Sequence, residues 1–161
     1  MELHPACAAT RWNNYCPPTL KMERGTMLSN SLPDYTAFKQ DAPRVLVVED
    51  ELLIRLMVSD HLRDSGFSVI EALNGEEAIE ILVSGALIDL VFTDVRMPGA
   101  ADGLDVLNFV RRTRPDLPVL VTSGHLDPRL AKAGGAVQFV PKPCKLDTLV
   151  DALHAALGRL A

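Results

Sequence analysis

Four short apolar runs in this chain each stop on a side chain capable of chemistry. Val45-Leu46-Val47-Val48 stops at Glu49-Asp50-Glu51, Leu90-Val91-Phe92-Thr93 at Asp94, Val119-Leu120-Val121-Thr122 at Ser123, and Val137 to Val140 at Pro141-Lys142-Pro143. Apolar runs this short, closed by turn signals, read as buried parallel strands. In an open α/β sheet the carboxyl ends of such strands line one rim, where ligands bind near the reversal of strand order. Side chains far apart in sequence then share a cleft: the carboxylates of Glu49, Asp50 and Asp94, a hydroxyl and the Lys142 ammonium. Crowded carboxylates repel, and either proton uptake or a bound cation relieves them. Oxygen donors on a rigid rim suit Mg2+, which takes one or two carboxylates and keeps its other positions for water or phosphate oxygens. A metal, an exposed aspartate oxygen, a lysine and a hydroxyl are the parts of a phosphoryl-transfer site with Asp94 as nucleophile.

The elements that must position these groups are legible from residue 44 onward. Ile54, Met57, Val58 and Leu62 recur at helical spacing, with Gly66 placed to close the helix in a left-handed conformation. Phe67 to Ala72 reads as the remaining strand. Asn74, followed three residues later by Glu77, marks the start of a helix whose apolar face is Ala78, Ile81 and Leu82. Pro98 to Gly103 is a loop into a helix with Leu104, Leu107 and Val110 inward and Arg111, Arg112 and Arg114 as a solvated C-terminal end. Only a short helical piece fits between Pro128 and Gly134. Leu146, Leu149, Val150, Leu153 and Leu157 mark a last helix running almost to Ala161. Five strands alternating with five helical segments imply right-handed crossovers and a parallel sheet covered on both faces, with a degenerate fourth helix.

Four motifs stand in order across residues 44 to 161: Val47-Val48-Glu49-Asp50-Glu51, Thr93-Asp94-Val95-Arg96-Met97-Pro98-Gly99, Val121-Thr122-Ser123-Gly124 and Val140-Pro141-Lys142-Pro143. Together they resemble the response-regulator receiver domain of two-component signalling. The resemblance implies a flavodoxin-like strand order, 2-1-3-4-5, with the strands ending at Asp50 and Asp94 side by side. It implies that Asp94 takes a phosphoryl group from a phosphohistidine on a histidine kinase or histidine phosphotransfer protein. Asp50 and Asp94 would hold Mg2+ with the backbone carbonyl of Arg96, and Glu49 would act mainly through a metal-bound water. Lys142 would pair with Asp94 and later with the phosphoryl oxygens, before a cis bond to Pro143. Ser123 would bond the phosphoryl group and draw its loop inward, while Phe139 stands at the aromatic switch position without a hydroxyl. Thr122 is the alternative to Ser123 for facing the cleft, although strand alternation and the adjacent Gly124 favour Ser123. The only catalysis implied is of the domain's own phosphorylation and dephosphorylation, so no enzyme acting on other molecules is expected. The output passes to a protein partner that the residues do not name.

Against the family pattern, the loop Pro98 to Gly103 is slightly long and the stretch from Ser123 to Lys142 is short, which squeezes the fourth helix and puts the family's usual output face, helix 4 to helix 5, in question. Arg96 and His125 flank the phosphoryl site. Two other readings stay open. A small phosphohydrolase would need a general acid where Arg96 stands, and a pseudo-receiver would act by contact alone.

Composition narrows the classes further. At 48% hydrophobic and 23% charged, the 161 residues suit one globular domain with length to spare. Residues 1 to 43, punctuated by Pro17-Pro18, Gly25 and Pro33, read as a loosely ordered extension with a possible short helix around Leu20 to Arg24. Sixteen Lys and Arg against 21 Asp and Glu leave a net charge of −5, which offers no attraction to nucleic acid or to an anionic membrane. Cys7, Cys16 and Cys144 form no CxxC pair, and no apolar segment is long enough to span a bilayer. A stand-alone, cytoplasmic receiver is the expectation.

Overall fold

A computed structural model describes residues 42–124 and 128–158. The β-branched and leucine-rich runs form five strands: β1 (Arg44–Val48), β2 (Ser68–Ala72), β3 (Leu90–Asp94), β4 (Val119–Ser123) and β5 (Gln138–Pro141). They make one parallel sheet in the order β2-β1-β3-β4-β5. Five helices connect and follow them: α1 (Leu52–Asp64), α2 (Gly75–Val83), α3 (Gly103–Thr113), α4 (Pro128–Ala133) and α5 (Leu146–Leu157). The expectations for the extension at 1–41, for His125 and for the last turn beyond residue 158 lie outside the described residues.

Alternation along the strands divides the core between the two faces. Leu46, Val48, Val91, Val119 and Val121 pack with Ala78, Leu82, Val106, Leu107 and Val110 of α2 and α3. Val45, Val47, Leu90, Phe92, Leu120 and Val140 pack with Val58 and Leu62 of α1 and with Leu149 and Leu153 of α5. Both faces being covered is why these strands read as unbroken apolar runs.

Helix ends follow their local chemistry. Gly66 takes φ 92 after α1. Asn74 Oδ1 accepts the Glu77 amide at 2.9 Å, and the Glu77 carboxylate accepts the Leu73 amide at 2.7 Å. At α3, Asp102 and Asp105 form a reciprocal capping box. The short fourth helix is present with six residues.

Several details differ from the sequence reading. Phe67 precedes β2 and donates its amide back to Leu62, finishing the α1 turn instead of starting the strand. β5 begins at Gln138 and continues into Pro141. Met57 is 52% exposed, and only Val58, Ser59 and Leu62 of α1 are buried. The arginines at the end of α3 are not merely solvated: Arg114 donates to the Ile88 carbonyl at 3.0 Å and Arg111 to the Leu117 carbonyl at 2.6 Å. These carbonyls belong to loops without ladder partners, and buried acceptors need donors.

Gly103, the first residue of α3, sits directly against the backbone of Asp94. A Cβ there would overlap the Asp94 carbonyl oxygen and touch Thr93 Oγ1 at 2.9 Å. Gly103→Ala should therefore cost about 1–3 kcal/mol in urea unfolding, as overpacking of a closed contact does. An unchanged midpoint would show that the helix can move away freely.

Candidate functional site

The register of the sheet builds the site. Val48 pairs with Thr93, Asp94 with Thr122, and Ser123 with Pro141. The residues just past these pairs therefore emerge along one rim: Glu49 and Asp50 after β1, Asp94 closing β3, Ser123 closing β4, and Lys142 after β5. One ligand oxygen from each of Glu49, Asp50 and Asp94 lies within 4.8 Å of the others. Lys142 Nζ donates to Glu49 Oε2 and to Asp94 Oδ2, each at 2.7 Å. The second Asp94 oxygen accepts the Val95 amide at 2.7 Å. The lysine is itself held in place by its own amide, which donates to the Ser123 carbonyl at 3.1 Å, and the Lys142–Pro143 bond is cis.

Burial grades these groups. Glu49 is 2% exposed and Asp94 8%, whereas Asp50 is exposed on the outer side. Burial pushes the Glu49 carboxyl above its ordinary range, and it wins although the adjacent Lys142 pulls the other way. For Lys142, burial works against the charge, but the hydrogen bonds to Asp94 and Glu49 outweigh it and hold the ammonium above its usual range. Three carboxylates facing one ammonium leave the rim two charges negative. Oxygen-only donors carrying surplus negative charge fit a hard divalent cation. Because Asp50 is exposed, the trio is open to solvent on one side, where such a cation would keep its waters.

Thr122, the alternative to Ser123, lines an apolar cavity with Glu49 and Lys142, but its hydroxyl is committed to the Val140 carbonyl at 2.8 Å. Ser123 is 3% exposed at the strand end. Phe139 is half-buried, packed against the α2–α3 core and bordering a cavity of about 350 Å³ lined also by Pro128, Lys132 and Ala136. Arg96 is exposed in the loop after β3.

Sequence reasoning missed Arg55. Its guanidinium donates to the Glu49 carbonyl at 2.6 Å and lies 3.5 Å from Glu71, tying the acidic turn after β1 to β2. Its position six residues beyond Glu49, one turn into α1, was the available signal.

The response regulator receiver domain model matches residues 45–154. This chain belongs to the receiver domain family. It is 35% identical over 120 residues to a cyclic di-GMP phosphodiesterase of Thermotoga maritima, covering 72% of this chain and 32% of that protein. It is 34% identical over 143 residues to the sensor kinase CckA of Brucella abortus, covering 86% of this chain and 14% of that protein. The chain thus spans a third or less of these two relatives. A response regulator receiver protein from Sinorhizobium medicae superposes with a TM-score of 0.70 at 33% identity, covering 75% of this chain and 98% of that one. Among the described residues of the receiver domain, no helix is long and apolar enough to cross a membrane.

The receiver's electrostatics set a pH dependence. A divalent cation favours ionised Glu49, whose proton is bound more tightly than that of a free glutamate. Mg2+ affinity should therefore fall on acidification through the raised Glu49 range, by up to ~10-fold per pH unit, starting at higher pH than an ordinary carboxylate would dictate. Calorimetric titration across a pH series measures it, and Glu49→Gln should remove that part of the slope.

Proposed function

We propose that this receiver domain takes a phosphoryl group from a phosphohistidine onto Asp94 in a Mg2+-dependent reaction and signals by changing conformation toward a protein partner. The observation that carries the reading is the Lys142 ammonium held 2.7 Å from both Glu49 and Asp94 at the carboxyl rim. In the transfer, an Asp94 carboxylate oxygen forms the new bond to phosphorus as the phosphorus–nitrogen bond of the donor breaks. The electron pair stays on the leaving imidazole nitrogen. The Val95 amide keeps one Asp94 oxygen oriented throughout, and Lys142 passes its hydrogen bond from Asp94 to a phosphoryl oxygen. Asp50, Asp94 and the Arg96 carbonyl would hold Mg2+, with Glu49 acting through a water, and the bound ion would supply charge that offsets the incoming phosphoryl oxygens. Catalysis extends to the domain's own phosphorylation and dephosphorylation and to no other substrate. The receiver works in the cytoplasm.

The phosphoryl group brings about −1.5 to −2 charge. Ser123 answers it with its hydroxyl, and the space beside Phe139 gives the ring room to follow. A histidine kinase or phosphotransfer protein is the donor that the chemistry calls for, and α1 offers it a seat. Leu52, Leu53, Leu56 and Met57 are all exposed on that helix directly after the acidic turn. Beside them opens an apolar cavity of about 380 Å³ whose lining includes Met57, Ile54, Glu49 and Lys142. Contiguous exposed apolar side chains of this kind mark contact sites. Leu53→Asp should slow transfer from a phosphorylated protein donor by about 10-fold or more while leaving uptake from acetyl phosphate unchanged. Equal rates from the protein donor would move the seat elsewhere.

The reading itself is tested by incubating the protein with acetyl phosphate and Mg2+. Hydroxylamine-labile label that disappears with a chelator is expected. Absence of label, or multiple turnover of soluble phosphate esters, would overturn it in favour of a contact-only module or a phosphohydrolase.

A further inference from the structure

The loop from Val95 to Asp102 leaves the end of β3, passes the rim and returns to Gly103, whose amide donates to the Val95 carbonyl at 3.1 Å. Among the described residues, the peptide groups of 96–101 are held to the start of α2 by the Glu76 carboxylate, led by the hydrogen bond from the Ala100 amide to Oε1 and supported by the Ala101 amide. Two glycines permit this approach. A Cβ on Gly99, which holds φ 128, would lie 2.7 Å from both Glu76 carboxylate oxygens, and a Cβ on Gly75 would overlap the Ala101 carbonyl. Helix and loop therefore meet where both have shed side chains, and a carboxylate grips the loop from outside.

We propose that Glu76 is a positioning residue for the phosphoryl-transfer site, acting as a latch that holds the 95–102 loop against α2 and so fixes the Arg96 segment beside Asp94. The proposal rests on the phosphoacceptor reading for its purpose, but its physical content is local. A loop tied at both ends and unsupported between them samples many conformations, and every conformer that carries the Arg96 carbonyl away from the rim weakens cation binding. The latch removes those conformers. Hydrogen bonds, led by that from the Ala100 amide, hold the Glu76 carboxyl below its ordinary range. The grip therefore persists to lower pH than an ordinary glutamate would allow. Glu76 belongs neither to the trio nor to either apolar core cluster, so its loss should leave the fold intact.

Three variants of the full chain decide the matter: wild type, Glu76→Ala, and Glu76→Gln, whose amide oxygen can still accept from Ala100. The readouts are Mg2+ affinity by calorimetry and hydrogen exchange of the Ala100 amide in the metal-free protein. Glu76→Ala should weaken Mg2+ binding roughly five-fold and speed Ala100 exchange, with Glu76→Gln within about two-fold of wild type in both, the scale of one charge-assisted hydrogen bond at a partly open site. Mg2+ affinity unchanged in Glu76→Ala, equal loss in both variants, or a wild type that binds no Mg2+ would overturn the latch. A wild type that binds Mg2+ but takes no phosphoryl group removes the phosphoacceptor reading alone, and the Mg2+ ratio between variants still decides the latch.

Discussion

Asp94→Asn should abolish phosphoryl uptake, lowering label from acetyl phosphate by at least ~10³-fold. Removing a covalent nucleophile has that scale of effect when no neighbour can replace it. The substitution is close to isosteric, and the asparagine oxygen can still accept from the Val95 amide, now met at 2.7 Å. Glu49 cannot stand in, because at 2% exposure its carboxylate is closed off beneath Lys142. Asp50 is exposed on the same rim but, unlike Asp94, does not receive the Lys142 ammonium that must follow the phosphoryl oxygens. The fold should survive: one of three mutually repelling carboxylates is gone while the lysine keeps Glu49 as partner, so the thermal midpoint should hold or rise. Label that persists on Asp94→Asn, measured as hydroxylamine-labile phosphate, would sink the assignment.

Lys142→Met should divide two properties that travel together in most site mutants. The methionine preserves the apolar stem and removes the cation that sits 2.7 Å from both Glu49 and Asp94. Without that competing charge the rim becomes more negative, and Mg2+ should bind about 10-fold more tightly. Phosphoryl transfer should nevertheless slow by ~10²-fold, since the donor aimed at the developing phosphoryl charge is lost. Stability without metal should drop by about 1–3 kcal/mol at neutral pH, because a buried Glu49 charge is left unpaired.

The sign of its pH dependence follows. With Lys142 gone, Glu49 is held still further above its ordinary range, so the penalty exists above that raised pKa and vanishes as pH falls through it. In the wild type, Lys142 has the raised pKa, so its stabilising contribution is complete below the ordinary lysine value and is lost only as pH climbs through the raised one. Equal Mg2+ affinity and equal transfer rate in Lys142→Met would leave the lysine as a loop residue only. Denaturant titrations at several pH values measure the stability, calorimetry the Mg2+ affinity, and label uptake from acetyl phosphate the transfer rate.

What could be read from the residues was whatever depends on topology and local propensity. Apolar runs such as Val45 to Val48 mark strands, and parallel crossovers force every strand to finish at the same edge. Glu49, Asp94, Ser123 and Lys142 therefore had to meet whatever the loops did. Gly66 and Asn74 were readable because a left-handed terminus and a side-chain cap are decided within a few residues. The Asp102 and Asp105 box was equally readable from its spacing, although it was passed over. The squeezed fourth helix followed from simple chain length between Ser123 and Lys142.

Tertiary structure decided the rest, wherever a long side chain chooses among partners brought by different loops. Lys142 was expected on Asp94 alone, and it bridges Glu49 as well because the turn after β1 lies within reach of the same ammonium. Arg55, Arg114 and Glu76 each satisfy a backbone group on another element, and nothing in their own neighbourhoods names that element. Met57 fits the helical period yet is exposed, since which part of the apolar stripe of α1 is covered depends on how the helix packs. Periodicity thus determines which elements form and which edge carries the chemistry. The approach of separately folded loops determines which atoms touch, because contact energies of a few kcal/mol are settled by ångström-scale distances that no one-dimensional pattern encodes.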